Sequence, residues 1–197
     1  QPDNCDALFD RANCLADVGR ADEALRDYAA AIALRPNWPA AHANCAVLLF
    51  GMGRLAESLD HCDAAIRLAP EWAGAHFNRG NALKDLGRLD EALAAYDRAL
   101  ALQPDFDLPW CNRGLVLATQ GHFGSALESY SRAIELNPQF FHAFINRGNL
   151  RMELGRPFNS NGAAVVHAES PLSNIQMMSS KVGHLAARVV PPETKVV

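Results

Sequence analysis

The chain has 197 residues, 49% of them apolar and 20% charged, with a formal net charge of −4 and an isoelectric point near 6.0. Without an excess of Lys and Arg it lacks the counterion-displacing charge of a general nucleic-acid binder. No apolar run approaches the ~18–20 residues that cross a bilayer, so neither nucleic acid nor membrane is an expected partner.

Taken in chain order, Gln1-Pro2-Asp3-Asn4 has neither an initiator Met nor the features of a signal peptide. Pro2 is instead the first member of a periodic set, with Pro36, Pro70, Pro104 and Pro138 each 34 residues apart. Gly19, Gly53, Gly87, Gly121 and Gly155 keep the same period, as do Ala31, Ala65, Ala99 and Ala133. This recurrence divides the chain into units 5–38, 39–72, 73–106 and 107–140 and a half unit 141–156. Residues 1–4 then read as the end of an earlier unit, and the expectation is that the array continues upstream.

Each unit reads as two helices. In the third, helix A is expected over about 75–86 and helix B over about 90–102. Gly87 suits the left-handed residue that ends a helix. Asp90 and Glu91 place negative charge at the N-terminus of helix B, where the macrodipole favours it. Pro104 cannot continue that helix. Ala92, Leu93, Tyr96, Ala99 and Leu100 recur at spacings of three and four, an apolar stripe that a lone helix pair cannot bury. Stacked neighbours bury it.

After Gly155-Arg156 the pattern stops at Pro157. Residues 157–197 carry five charged residues and a loop-like Asn159-Ser160-Asn161-Gly162. Ser170-Pro171 offers a helix start, and Leu172, Ile175, Val182, Leu185 and Val189 make a broken apolar stripe. A helix near 171–190 is expected to cap the last apolar face of the array, against the alternatives of a disordered extension or a sequence unrelated to the repeat.

The 34-residue helix–turn–helix resembles the tetratricopeptide repeat. The large-residue column reads Leu8, His42, His76, Trp110 and Phe144, and the small-residue column Ala12, Ala46, Gly80, Gly114 and Gly148. The Ala-x3-aromatic pair appears as Ala24/Tyr28, Ala92/Tyr96 and Ala126/Tyr130, and is degraded to Ser58/Cys62 in the second unit. Arg79, Arg113 and Arg147 stand where the family has Leu. The resemblance covers 1–156 and implies an all-α, right-handed superhelical solenoid of antiparallel helix pairs. Its concave wall would be built from the A helices, and its partner would be another protein.

Two columns of helix A then become the candidate binding face. One is Asp10, Asn44, Asn78, Asn112 and Asn146; the other, three residues along, is Asn13, Val47, Asn81, Leu115 and Asn149. Asn is a poor helix-interior residue, because its side chain competes for backbone hydrogen bonds. A primary amide offers a donor and an acceptor together, which matches a peptide group. Packed helices lie ~8–10 Å apart and an extended chain advances ~3.3–3.6 Å per residue, so one Asn would clamp a ligand backbone every two or three residues. The column resembles the asparagine ladder lining the repeats of O-linked N-acetylglucosamine transferases, which holds extended polypeptide. Against this stands a structural reading, in which each Asn makes a hydrogen bond between repeats. The chaperone-binding carboxylate clamp is not expected: Phe9, Ala43 and Phe77 occupy one of its columns and Gly74, Leu108 and His142 another. Phe9, Phe77, Cys111 and Ile145 are expected to give the groove an apolar lining.

No catalytic motif appears, and no enzyme activity or cofactor is expected. His42 and His76 share a packing column, where satisfied or stacked rings are the expectation. Five cysteines without a CxxC pair, and no N-x-Ser/Thr site, fit a cytoplasmic chain. The sequence therefore points to a scaffold holding an extended polypeptide, or else to the substrate-recognition part of a larger enzyme such as a glycosyltransferase. Self-association through an exposed end is a third expectation.

Overall fold

The computed structural model describes residues 5–155, all of whose regular structure is helical. The helices alternate as A and B members of successive repeats: α1 (Cys5–Asp17) with α2 (Ala21–Leu34), α3 (Pro39–Gly51) with α4 (Leu55–Leu68), and α5 (Ala73–Asp85) with α6 (Leu89–Leu102). Then come α7 (Asp107–Thr119) with α8 (Phe123–Leu136), and α9 (Phe141–Leu154). The expected helix at 171–190 lies outside the described residues, as do residues 1–4.

The periodic glycines explain the A-to-B turns. Gly19, Gly53, Gly87 and Gly121 have φ of 75–82°, a left-handed conformation that costs other L-residues energy. At each, the next residue donates its N–H five residues back, as from Arg88 to the Leu83 carbonyl at 2.9 Å. That closes a Schellman-type helix end. Gly155 departs from the set, with φ −80°. Helix α5 starts two residues earlier than the glycine and proline punctuation suggests. Trp72 is extended, and its carbonyl accepts from Ala75 and His76 at 3.0 and 3.4 Å, so helical bonding begins directly after it.

The small-residue column sets how closely the two helices of a repeat approach. A Cβ built on Gly80 would stand 2.5 Å from the Tyr96 ring, and one on Gly114 would stand 2.7 Å from that of Tyr130. The tyrosine rings lie close against the two glycines and are buried with Ala92, Ala99, Ala126 and Ala133. Gly148 in α9 meets nothing within 4 Å, because no B helix stands opposite it among the described residues. Phe141, Phe144, Ile145 and Met152 of that helix are exposed.

Helix–helix contacts determine the curvature. Successive A helices touch, α1 with α3, α3 with α5, α5 with α7 and α7 with α9, whereas the B helices make no comparable contact with one another. The A helices thus form the inner wall and the B helices splay outward. The result is an all-α solenoid of antiparallel pairs.

Candidate functional site

The two polar columns of the A helices meet across the repeat boundaries. Tyr28 donates its hydroxyl hydrogen to Asn13 Oδ1 at 2.6 Å, and Asn44 of the next repeat donates its Nδ2 hydrogen to the same oxygen at 2.9 Å. Two repeats on, Tyr96 and Asn112 both donate to Asn81 Oδ1 at 2.8 Å. Each node joins helix A and helix B of one repeat to helix A of the next. Its oxygen is served by two donors, which satisfies groups that would be costly to bury unpaired.

Alternate boundaries lack the node. In the second repeat Val47 and Cys62 replace the Asn and Tyr, and Asn78 Nδ2 is buried without a partner among the described residues. In the fourth, Leu115 replaces the Asn, and the buried Tyr130 hydroxyl likewise has no partner among the described residues. There Asn146 Nδ2 turns to Cys111 Sγ at 3.7 Å. Asparagine at the first column therefore serves the interface between repeats wherever an acceptor stands opposite it.

Burial divides the eight residues of the candidate face. Asn78, Asn81 and Asn146 are only 7%, 5% and 6% exposed. Asn13, Asn44, Asn112 and Asn149 are half-buried, and Asp10 is exposed. The expected apolar lining also needs correction. Phe77 is buried against Tyr96 and Phe106, with ring centroids 6.1 and 5.2 Å apart, and Cys111 is buried in the next core. Phe9 lies on Trp38 at 4.5 Å, while Ile145 is exposed. Phe9 and Phe77 are drawn into packing with aromatic residues of their own repeats. The tyrosines are the functional groups that column-by-column reading missed. The signal was present as a spacing of 15 residues between Asn13 and Tyr28 and between Asn81 and Tyr96.

The large-residue column makes a second recurring link. His42 Nε2, His76 Nε2 and Trp110 Nε1 lie 3.2, 2.9 and 3.0 Å from the carbonyls of Pro36, Pro70 and Pro104. A carbonyl only accepts, so each of these nitrogens carries hydrogen. His42 continues into a chain: its Nδ1 faces His61 Nδ1 at 3.1 Å, and His61 Nε2 faces Cys45 Sγ at 3.7 Å. With neutral rings the directions are fixed. Cys45 donates to His61, His61 to His42, and His42 to Pro36. The arginines in place of the family's Leu are also accounted for: Arg79 and Arg113 reach back to Asp63 and Asp97 of the preceding B helix at 2.8 and 2.6 Å.

None of this constitutes reaction chemistry. Burial pushes the thiols of Cys45, Cys62 and Cys111 up to about 12, which keeps them protonated. Among the described residues no group of three or more His, Cys, Asp or Glu is placed to hold a metal ion. No helix among them is long and apolar enough to cross a membrane.

The inner wall carries a concavity of about 480 Å³ between the first two repeats, where Asn44 stands beside Ala16, Val47 and Gly51.

Comparison with known proteins agrees with this architecture. Families described as "Tetratricopeptide repeat" match residues 5–38, 39–64 and 108–140, and one described as "TPR repeat" matches 80–121. No curated protein matches the sequence. Among solved structures, a MamA protein is 18% identical with a TM-score of 0.70, covering 95% of this chain and 98% of its own. TTC0263, a TPR protein from Thermus thermophilus, is 24% identical with a TM-score of 0.64, covering 77% of this chain and 84% of its own. YrrB, described as a TPR protein with an unusual peptide-binding site, is 22% identical with a TM-score of 0.63, covering 89% of each chain. At these identities the likeness is one of fold.

Proposed function

We propose, from the premise that this chain belongs to the tetratricopeptide-repeat family, that it is a non-catalytic scaffold whose A-helix wall holds another protein as an extended polypeptide. The observation that carries the reading is the half-exposed position of Asn44 and Asn112 on that wall. Each spends one amide hydrogen on its neighbour. A primary amide has a second hydrogen and an acceptor oxygen, the two groups that pair with a peptide unit. The node also restrains the Asn rotamer before a ligand arrives, which lowers the entropy lost on binding. Asn149 and Asp10 extend the accessible set along the wall. The buried Asn78, Asn81 and Asn146 support the frame and are not direct clamps.

The same wall would serve in the substrate-selecting part of a larger enzyme, such as a glycosyltransferase. A sugar-nucleotide-binding domain in the full reading frame is what separates the two readings. The peptide-binding site named for YrrB lends the scaffold reading an analogy of fold only.

The test compares binding of unfolded, labelled polypeptides by the chain and by an Asn44→Ala/Asn112→Ala variant that retains its helical circular dichroism. Loss of binding in the variant is expected. Equal binding by both would remove the inner wall from consideration.

A further inference from the structure

We infer that the concavity between the first two repeats is a subsite for one large apolar side chain of the bound polypeptide, with a Lys or Arg next to it in the ligand sequence. The inference rests on the groove reading above and names the ligand chemistry of one place within it.

Three departures from the repeat coincide there. Along the A helices, one inward column reads Asn13, Val47, Asn81, Leu115 and Asn149, and a second, four residues on, reads Asp17, Gly51, Asp85, Thr119 and Glu153. A third reads Ala16, Phe50, Lys84, Ala118 and Met152. At the first boundary the three contributors are Ala16, Val47 and Gly51, a small, a branched apolar and an absent side chain. The opening they leave is about 480 Å³, within the range of ~300–1,000 Å³ that encloses ligand groups. One boundary further, Phe50, Asn81 and Asp85 stand at the same positions, and the opening beside Phe50 and Asn78 is about 10 Å³. The small side chains at the first boundary account for the difference between these two openings.

The chemistry of its wall is mixed in a useful way. Val47, Leu48 and Met52 give an apolar floor, and the Met is adaptable in shape. Asn44 stands at the edge, so a ligand whose side chain enters the opening presents its backbone to the amide. Asp17 lines the opening, and Asp10 lies seven residues back on the same helix face, both exposed. A buried apolar anchor with a cation beside it complements that arrangement; an acidic neighbour would meet like charge.

A randomised dodecapeptide display library, panned against the whole chain and against Ala16→Phe and Gly51→Asp variants, tests this. Both variants place in the first boundary what the second already carries, and circular dichroism and thermal melts confirm that they fold. Peptides selected by the original chain are expected to share one large apolar residue beside Lys or Arg. Replacing that residue with Ser should weaken binding about tenfold or more, as loss of a pocket-filling group does. The variants should lose this preference while still binding other peptides through Asn44 and Asn112. If selected peptides bind with no such residue in common, or if the variants keep the preference, the subsite is wrong and the groove reading stands. If no peptide is enriched at all, both are wrong.

Discussion

Asn112 donates its side-chain amide hydrogen to Asn81 at 2.8 Å across the boundary between the third and fourth repeats, 31 residues away in sequence. The Asn81 oxygen also receives the Tyr96 hydroxyl. A residue type that is unfavourable inside helices is therefore tolerated because it couples three helices at once. The coupling is also what orients the partly exposed amide of Asn112 toward the inner wall.

Removing the shared acceptor orphans two donors. Asn81→Ala is expected to destabilise the array by about 2–3 kcal/mol, the cost of leaving buried polar groups unpaired. Urea unfolding followed by circular dichroism measures it. A double-mutant cycle with Tyr96→Phe should show clear coupling; additive effects would mean that the node is not a unit.

The same substitution should act differently in neighbouring repeats. Tyr96→Phe breaks a bond to Asn81 and should cost about 1 kcal/mol. Tyr130→Phe removes a buried hydroxyl that has no partner among the described residues, and should be neutral or stabilising. Leu115→Asn restores an acceptor opposite Tyr130. It should raise stability while the tyrosine is present and bring no gain when combined with Tyr130→Phe. Equal losses for the two Tyr→Phe variants would contradict the alternation of nodes.

Glycines of one column should tolerate Ala unequally. Gly80→Ala places a methyl group 2.5 Å from the Tyr96 ring and should cost about 1–3 kcal/mol through overpacking. Gly148→Ala meets nothing within 4 Å among the described residues and should gain up to about 1 kcal/mol from helix propensity. Melting temperatures of the two single variants provide the comparison.

Acid should loosen the second repeat. Burial first, and then the facing His42 ring, hold the His61 imidazole below its ordinary value of 6.5, against the smaller opposing pull of Asp60 and Glu57. The unfolded chain therefore binds a proton more readily than the folded one. The contribution of His61 to stability is fully present above about pH 6.5 and is lost as pH falls toward the lower folded value. With the ring directions above, a proton added to His61 goes on Nε2 and sets N–H against the Cys45 S–H across the 3.7 Å contact. Thermal melts at pH 7.5 and pH 5 should differ more for the original chain than for a His61→Gln variant. An unchanged pH dependence in that variant would assign the acid effect elsewhere.

Legibility in the sequence followed the range of the interaction. The period of Pro and Gly defines the units because those residues act on their own backbone: Gly87 takes φ 76° and Pro104 lies just beyond the end of α6 wherever the rest of the chain goes. Amphipathic spacing gave the helices to within two residues, and the small column predicted close approach at Gly80 and Gly114, where tyrosine rings now lie. What each Asn does was open, because Asn44, Asn78, Asn112 and Asn146 are the same residue at the same repeat position. The difference between them comes from groups 31 to 35 residues away, namely Asn13, Asn81 or Cys111 opposite them, or no partner among the described residues. Likewise Phe9, Phe77, Cys111 and Ile145 share a column, yet Phe77 and Cys111 are buried in core clusters and Ile145 is exposed. Backbone conformation and helix periodicity are local properties, so the sequence alone determined the repeat and its family. Burial and hydrogen-bond partnership depend on which side chains stacking brings together, so only the tertiary structure decided which amides stay partly exposed and which are buried between repeats.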